Sequence, residues 1–315
     1  MSLDVPLAVG GLLVGVVVGL TGMGGGALMT PMLVFFFRID PLTAISSDIV
    51  VSLFMKPAGA LVHLRRGTVN LRLVGWLCLG SVPAAFSGAF LISLIPPSVP
   101  LDAILKHALG VALLTATAGL IARAVYQMWR KRLPLGEGPA KMARPEVVLR
   151  PLPTVILGAI AGFMVGLTSV GAGSIVIVVL LFMYPALKAS SLVGTDLAQA
   201  IPLVAAAAVG HLLFGSFSMT VASSLLVGAV PGAWIGAQAS SRAPGGIIRR
   251  ILAVLLLASG LKLLDVPSEL VLAAAVGALV FGNVAWIMIR RRVAPRTAVR
   301  RVADDAQAEP GAPVS

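Results

Sequence analysis

The sequence is short of charge. Only 11% of its residues are Asp, Glu, Lys or Arg, whereas a soluble domain carries about 25% and needs them on its surface. A chain this poor in charge cannot cover itself in water. Cysteine is nearly absent as well. Cys78 is the single one, which excludes an intramolecular disulfide and a cysteine-based metal cluster. It lies in an apolar run, where a free cysteine acts as a small core residue. Catalytic signatures are missing: there is no H-E-x-x-H and no G-x-S-x-G. LVGTD (192–196) is only a weak echo of an aspartyl-protease motif, without a supporting second signature. No nucleotide loop of the form G-x-x-x-x-G-K-[ST] is present. The reading is therefore neither an enzyme nor a cofactor protein, and no metal site is expected. The net charge of +12 does not indicate nucleic acid. The basic residues sit in short connections and at the tail, as in membrane proteins, without aromatic interleaving.

What the sequence has is hydrophobicity. The apolar fraction is 58% and the mean hydropathy +1.01. Apolar blocks cover about 5–37, 44–63, 73–92, 105–129, 153–184, 192–213, 220–239, 247–263 and 269–289, many near the ~20 residues of a membrane span. Lipid satisfies no backbone group, and the blocks lack the alternation of barrel strands, so all are read as helices. The expectation is an all-α polytopic membrane protein whose partner is the lipid bilayer. Asp4 is the only early charge and the first apolar stretch runs on, which reads as an uncleaved membrane element rather than a signal peptide.

The chain repeats itself. A shift of 147 lays GLTGMGGG (19–26) on GLTSVGAG (166–173). A shift of 148 lays Asp48 on Asp196, His63 on His211, Gly80 on Gly228, Pro83 on Pro231 and Gly88 on Gly236. The basic connections change sides between the halves: Arg65, Arg66 and Arg72 follow the second block, but the matching region 212–219 is uncharged. Residues 93–105 are poor in basic groups, while Arg242, Arg249 and Arg250 occupy the counterpart. The positive-inside rule then predicts two inverted-topology repeats. Inversion needs an odd number of crossings per half. Block 5–37, about 50 Å as one helix, is long for one span and short for two. Its glycine run predicts two short helices or a re-entrant hairpin, and likewise around TSVGAG. The expected division is a first repeat at 1–129, a basic cytoplasmic linker at 130–150, a second repeat at 151–264, an additional transmembrane helix at 265–290 and a disordered tail at 291–315. The predicted location is a bacterial inner membrane, with the N-terminus outside and the C-terminus cytoplasmic.

Glycines are poor helix interior, each costing about 1 kcal/mol against Ala. Broken helices at membrane depth line cavities or lie buried in protein. A helix restarting there offers free N–H groups and a positive dipole end to an anion. This makes Thr21, Gly22, Gly24, Gly25 and Gly26, with Thr168, Ser169, Gly171 and Gly173, candidates for substrate binding. Close small-residue packing is the competing explanation. Ser46, Ser47 and Asp48 fall in the first turns of a helix starting near 44, and Ser190, Ser191, Thr195 and Asp196 match them. Either the hydroxyls bind substrate oxygens while Asp48 or Asp196 carries a coupled proton, or Ser47 and Thr195 cap helices. Lys56, matched by Val204, either anchors an anion, pairs with Asp48 eight residues away, or snorkels. Gln199 lies one turn after Asp196 and would line the same cavity. His63 and His211 are repeat-related, with His211 the candidate proton relay and a structural role the alternative. His107 receives no functional assignment.

GLTGMGGGALMTPML, TAISSD, HLRRGTVNLRL and GSVPAAFSGAF, followed by GLTSVGAGSIVIVVLL, ASSLVGTD and GAVPGAWIGA, resemble the sulfite exporter TauE/SafE family of membrane permeases. The resemblance covers about residues 10–262. It implies export or uptake of sulfite, organosulfonates or related small anions, with the glycine motifs and the downstream Ser/Thr/Asp helix starts as the site. GAG in the second half, Lys56 and the helix at 269–289 depart from the family pattern. The expected function is secondary transport of a small anion by alternating access, with a proton as candidate coupling ion. The other class considered is a non-transporting membrane scaffold, which would not need polar groups at matching depths in both halves.

Overall fold

The computed structural model describes residues 3–21, 25–65, 67–130, 149–170, 173–184, 187, 189–239 and 245–282. No strand occurs among them. The helices are α1 (Val5–Thr21), α2 (Gly26–Phe36), α3 (Pro41–Arg65), α4 (Leu71–Ser93), α5 (Leu101–Arg130), α6 (Pro151–Thr168), α7 (Gly173–Met183), α8 (Ala189–Phe214), α9 (Met219–Ala239), α10 (Gly245–Leu263) and α11 (Ser268–Gly282). Five of them, α4, α5, α6, α8 and α9, are long and apolar enough to cross a membrane. The protein is an all-helical, multi-pass membrane protein.

Local chemistry sets several helix starts. Asp40 accepts from the Thr43 amide at 2.8 Å, and Pro41 follows as the first helical residue, the favoured order of cap and proline. The apolar pattern predicts a start near 44 for this helix. Its true start at Pro41 moves Ser46, Ser47 and Asp48 into the second turn. Thr195 likewise stands six residues inside α8, so neither Ser47 nor Thr195 is an N-cap. Asn70 caps α4 by accepting from the Leu73 amide at 3.2 Å.

The glycine runs do break the first element of each half, and each pair folds back on itself. A Cβ on Gly10 of α1 would lie 2.9 Å from Met32 Sδ and 3.3 Å from the Phe37 ring, so α2 returns along α1. In the second half the Tyr184 hydroxyl, just past α7, meets Thr154 Oγ1 at 2.7 Å and takes the Arg150 amide at 2.9 Å near the start of α6. Both pairs are hairpins. At 11 residues each, α2 and α7 reach about 17 Å, half a bilayer core. The hairpin tips meet: a Cβ on Gly26 would overlap the Ser169 carbonyl.

The halves exchange partners. Gly11, Gly15 and Gly19 of α1 pack against the backbone of Leu225, Ala229 and Ala233 on α9. Gly158, Gly162 and Gly166 of α6 pack in the same order against Leu77, Ser81 and Ala85 on α4. Small residues let these backbones touch where lipid supplies no hydrophobic drive. Helices α3 and α8 correspond in the repeat and run antiparallel. Ser46 near the start of α3 meets His211 at the end of α8, and Asn70, after α3, donates to Thr195 near the start of α8.

Helix α11 carries exposed Leu270, Leu272, Val276, Val280 and Phe281, a surface suited to lipid. Gly22, Gly24 and Gly171 lie outside the described residues, as do 131–148 of the linker, 283–290 of the expected last helix and the tail 291–315.

Candidate functional site

The polar groups predicted from sequence converge where the hairpin tips meet. Asp48 is fully buried. Its Oδ2 accepts from Thr30 Oγ1 at 2.6 Å and from Ser169 Oγ at 2.8 Å. Its Oδ1 accepts from Ser52 Oγ at 3.3 Å. Three elements thus supply donors to one carboxylate: α2, α3 itself and the break between α6 and α7. Ser169 is held for this in the left-handed region, φ 58°, uncommon for a residue with a Cβ. It also closes α6, its amide bonding the Val165 carbonyl at 2.8 Å. Gly25 stands next to the cluster, where a Cβ would be 3.1 Å from Ser52 Oγ and 3.5 Å from Asp48 Oδ1.

Asp196 occupies the matching place in the second half, but its surroundings differ. A Cβ on Gly173 would meet Asp196 Oδ2 at 2.8 Å. Gln199 Nε2 donates to Asp196 Oδ1 at 3.4 Å, and Gln199 Oε1 accepts from Ser81 Oγ at 3.1 Å, which fixes the orientation of the amide. The positive charges of Lys56 and Arg123 act on Asp196, and that of Lys56 reaches Asp48 also. The charge of Lys56 thus bears on both carboxylates, with no salt bridge to either among the described ion pairs.

His211 is buried at the end of α8. Its Nε2 lies 2.7 Å from the Gly166 carbonyl and its Nδ1 2.9 Å from Ser46 Oγ. A carbonyl only accepts, so Nε2 carries the hydrogen, and in the neutral ring Ser46 donates to Nδ1. Ser46 is thus engaged with His211. Ser47 Oγ is buried and has no hydrogen-bond partner among the described residues, and a buried polar group of that kind calls for an explanation. Thr21 and Thr168 bond back to carbonyls of Val17 and Met164 at 2.8 and 2.7 Å, closing their helices at the two breaks. Thr195 bonds the Ser191 carbonyl at 2.7 Å and takes the Asn70 amide at 3.0 Å. The His63 and Ser190 side chains lie outside the described residues.

Four residues of this cluster were not found by sequence reasoning. Thr30, Ser52 and Ser81 look like isolated small polar residues in apolar helices. Arg123 looks like an interfacial cation near the end of α5. Helical spacing carried a signal for Ser52 alone, one turn from Asp48 on the same face.

A family model described as Sulfite exporter TauE/SafE matches residues 7–263, the whole span from α1 to the end of α10. The chain belongs to the sulfite exporter TauE/SafE family. Among curated relatives of this family member, the probable membrane transporter protein YjnA of Bacillus subtilis (strain 168) is 37% identical over 263 residues, covering 83% of this chain and 100% of YjnA. The probable membrane transporter protein YdhB of the same organism is 26% identical over 254 residues, covering 80% and 96%. YunE, also a probable membrane transporter protein of that strain, is 24% identical over 250 residues, covering 74% and 85%. No solved structure matches. Family and relatives are named as transporters, not enzymes, and this chain is a membrane transporter.

Proposed function

We propose that the protein is a secondary transporter of a small anion, a sulfite, an organosulfonate or a related sulfur oxyanion, working by alternating access between inverted halves. The convergence of two hairpin tips on buried Asp48 and Asp196, with the charge of Lys56 acting on both, carries this reading. Irregular backbone at depth belongs where it lines a binding cavity. The tips supply backbone N–H groups at Gly25, Gly26 and Gly173, with Gly22, Gly24 and Gly171 as further candidates in the same runs. Ser47 offers an unused donor, and Thr21, Thr168, Ser169, Thr195 and Gln199 frame the polar centre. Lys56 attracts the anion, and a proton is the coupling ion, for which Asp48, Asp196 and His211 are the candidate carriers.

The inverted arrangement is supported by the antiparallel lie of the equivalent helices α3 and α8 and by the swap of α1–α9 for α6–α4. In this reading repeats 1–129 and 151–264 face opposite sides, 130–150 is a cytoplasmic linker, 265–290 an added span and 291–315 a tail. The N-terminus lies outside a bacterial inner membrane and the C-terminus in the cytoplasm.

Uptake of radiolabelled sulfite, methanesulfonate and sulfate into proteoliposomes, with and without a pH gradient, tests the proposal. Accumulation of at least one anion that responds to the gradient is expected. No flux of any of the three defeats the sulfur-oxyanion assignment, and gradient-independent flux defeats proton coupling.

A further inference from the structure

The two aspartates are equivalent in the repeat but not in their surroundings. The three hydroxyls around Asp48 have no counterparts around Asp196. Thr30 is matched by Ile177, Ser52 by Ala200, and Ser169 by Gly22. Asp48 therefore holds three donors, whereas among the described residues Asp196 accepts one longer side-chain bond, from the Gln199 amide. Protonating Asp48 would sacrifice hydrogen bonds that a carboxylate accepts best. Among the described side chains, protonating Asp196 would cost one weak bond.

Charge balance gives this difference a use. Lys56, Arg123, Asp48 and Asp196 sum to zero, two positive and two negative. An anion entering this neutral, partly buried cluster leaves one negative charge uncompensated, which is costly away from water. One proton restores neutrality.

We propose, resting on the anion-transport reading above, that a monovalent anion travels with one proton and that Asp196, not Asp48, is that proton's seat. The step is a simple protonation: the Asp196 carboxylate gains a proton to become a carboxylic acid, and no other bond changes. The charged groups that face Asp196 are Lys56 from α3 and Arg123 from α5. From α4, Cys78 contacts the Gln199 carbonyl rather than the carboxylate, and α6 and α7 present no titratable side chain. Asp48 serves as the tie that holds both hairpin tips.

Dicyclohexylcarbodiimide is a suitable probe because it partitions into lipid and modifies protonated carboxyl groups. The full-length protein in proteoliposomes is treated across a pH series, and the adducts are mapped by peptide mass spectrometry. Adduct on Asp196 is expected to exceed that on Asp48 by about an order of magnitude, and to rise as pH falls. Equal modification, or a preference for Asp48, overturns the proposal. The wild-type chain suffices, so no variant has to fold. A second arm compares sulfite and methanesulfonate flux in Asp196→Asn and Asp48→Asn proteoliposomes. Loss of gradient dependence confined to Asp196→Asn supports the assignment, and loss confined to Asp48→Asn overturns it. If neither anion is carried even by the wild type while adduct still maps to Asp196, the anion reading fails and the proton seat stands.

Discussion

Ser169, at the break of the second half, donates a 2.8 Å hydrogen bond to Asp48 of the first half. The bond crosses the repeat boundary at the point where the two hairpin tips touch. Removing it separates two effects at one residue. Ser169→Ala deletes a charge-assisted bond and is expected to cost about 1–2 kcal/mol. Ser169→Gly deletes the same bond but suits the positive φ better, so its loss should be smaller by several tenths of a kcal/mol. Denaturant unfolding of the detergent-solubilised protein checks the order. Ser169→Gly less stable than Ser169→Ala would show that φ is not the strained coordinate.

Asp48→Ala should be worse than either. It leaves Thr30, Ser52 and Ser169 without their common acceptor, and stranded buried hydroxyls cost about 1–3 kcal/mol each, with partial relaxation. The expected loss is about 3 kcal/mol. Among the described hydrogen-bond donors, Asp196→Ala strands the Gln199 amide alone; both substitutions also take a negative charge from near Lys56, so with fewer stranded hydroxyls Asp196→Ala should cost less by the same measurement. Equal losses would argue against the asymmetry seen between the two carboxylates.

Much of this centre was legible in the sequence, and the reasons are specific. Glycine runs in apolar blocks announce a break because consecutive glycines weaken a helix, whereas packing glycines stand four residues apart, as Gly11, Gly15 and Gly19 do. Asp48 and Asp196 stand out because charge is rare in this chain. Helix α3 starts three residues before its apolar pattern does, and Asp40-Pro41 is itself the cap-and-proline signal for that start. The donors to Asp48 were not legible. Thr30 and Ser169 are distant from Asp48 in sequence, and no periodicity within one helix reveals what another helix brings. The choice between a re-entrant hairpin and two short spans is equally hidden, because both have the same composition.

The glycine seams allow a paired prediction. A Cβ on Gly228 would overlap the Ala8 carbonyl, whereas one on Gly75 meets nothing within 4 Å. Gly228→Ala must push α9 from α1 and should destabilise by about 1–3 kcal/mol, the usual range for overpacking. Gly75→Ala only raises helix propensity and should gain up to about 1 kcal/mol. Thermal melting of both variants in one detergent checks the contrast. A neutral Gly228→Ala would mean that the seam is loose.

At the surface, the Lys106 ammonium hydrogen-bonded to Asp265 holds that carboxyl below its ordinary value, helped by the charges of His107 and Lys262. A lowered folded value means that the contribution to stability is full above the unfolded carboxylate range and fades as pH falls through the folded value. Asp265→Asn should therefore melt slightly below wild type at neutral pH, and the two should converge in strong acid. The effect is small, since exposed pairs contribute little. A gap that widens on acidification would have the wrong sign and would remove the ion pair as its cause.

The antiparallel lie of α3 and α8 bears directly on membrane topology. If both cross the bilayer, their C-terminal ends emerge on opposite faces. Arg65 at the end of α3, Arg66 after it and Arg72 at the start of α4 make that end basic, while the connection after α8 carries no charge, so the positive-inside rule puts the first in the cytoplasm. Single cysteines at Gly67 and Ser216, introduced with Cys78→Ser, should label from opposite sides of intact cells with a membrane-impermeant maleimide. Ser216 is expected to react from outside, and Gly67 only after permeabilisation. Labelling of both from one side would mean that α3 or α8 fails to span, and the two halves could then not be inverted copies.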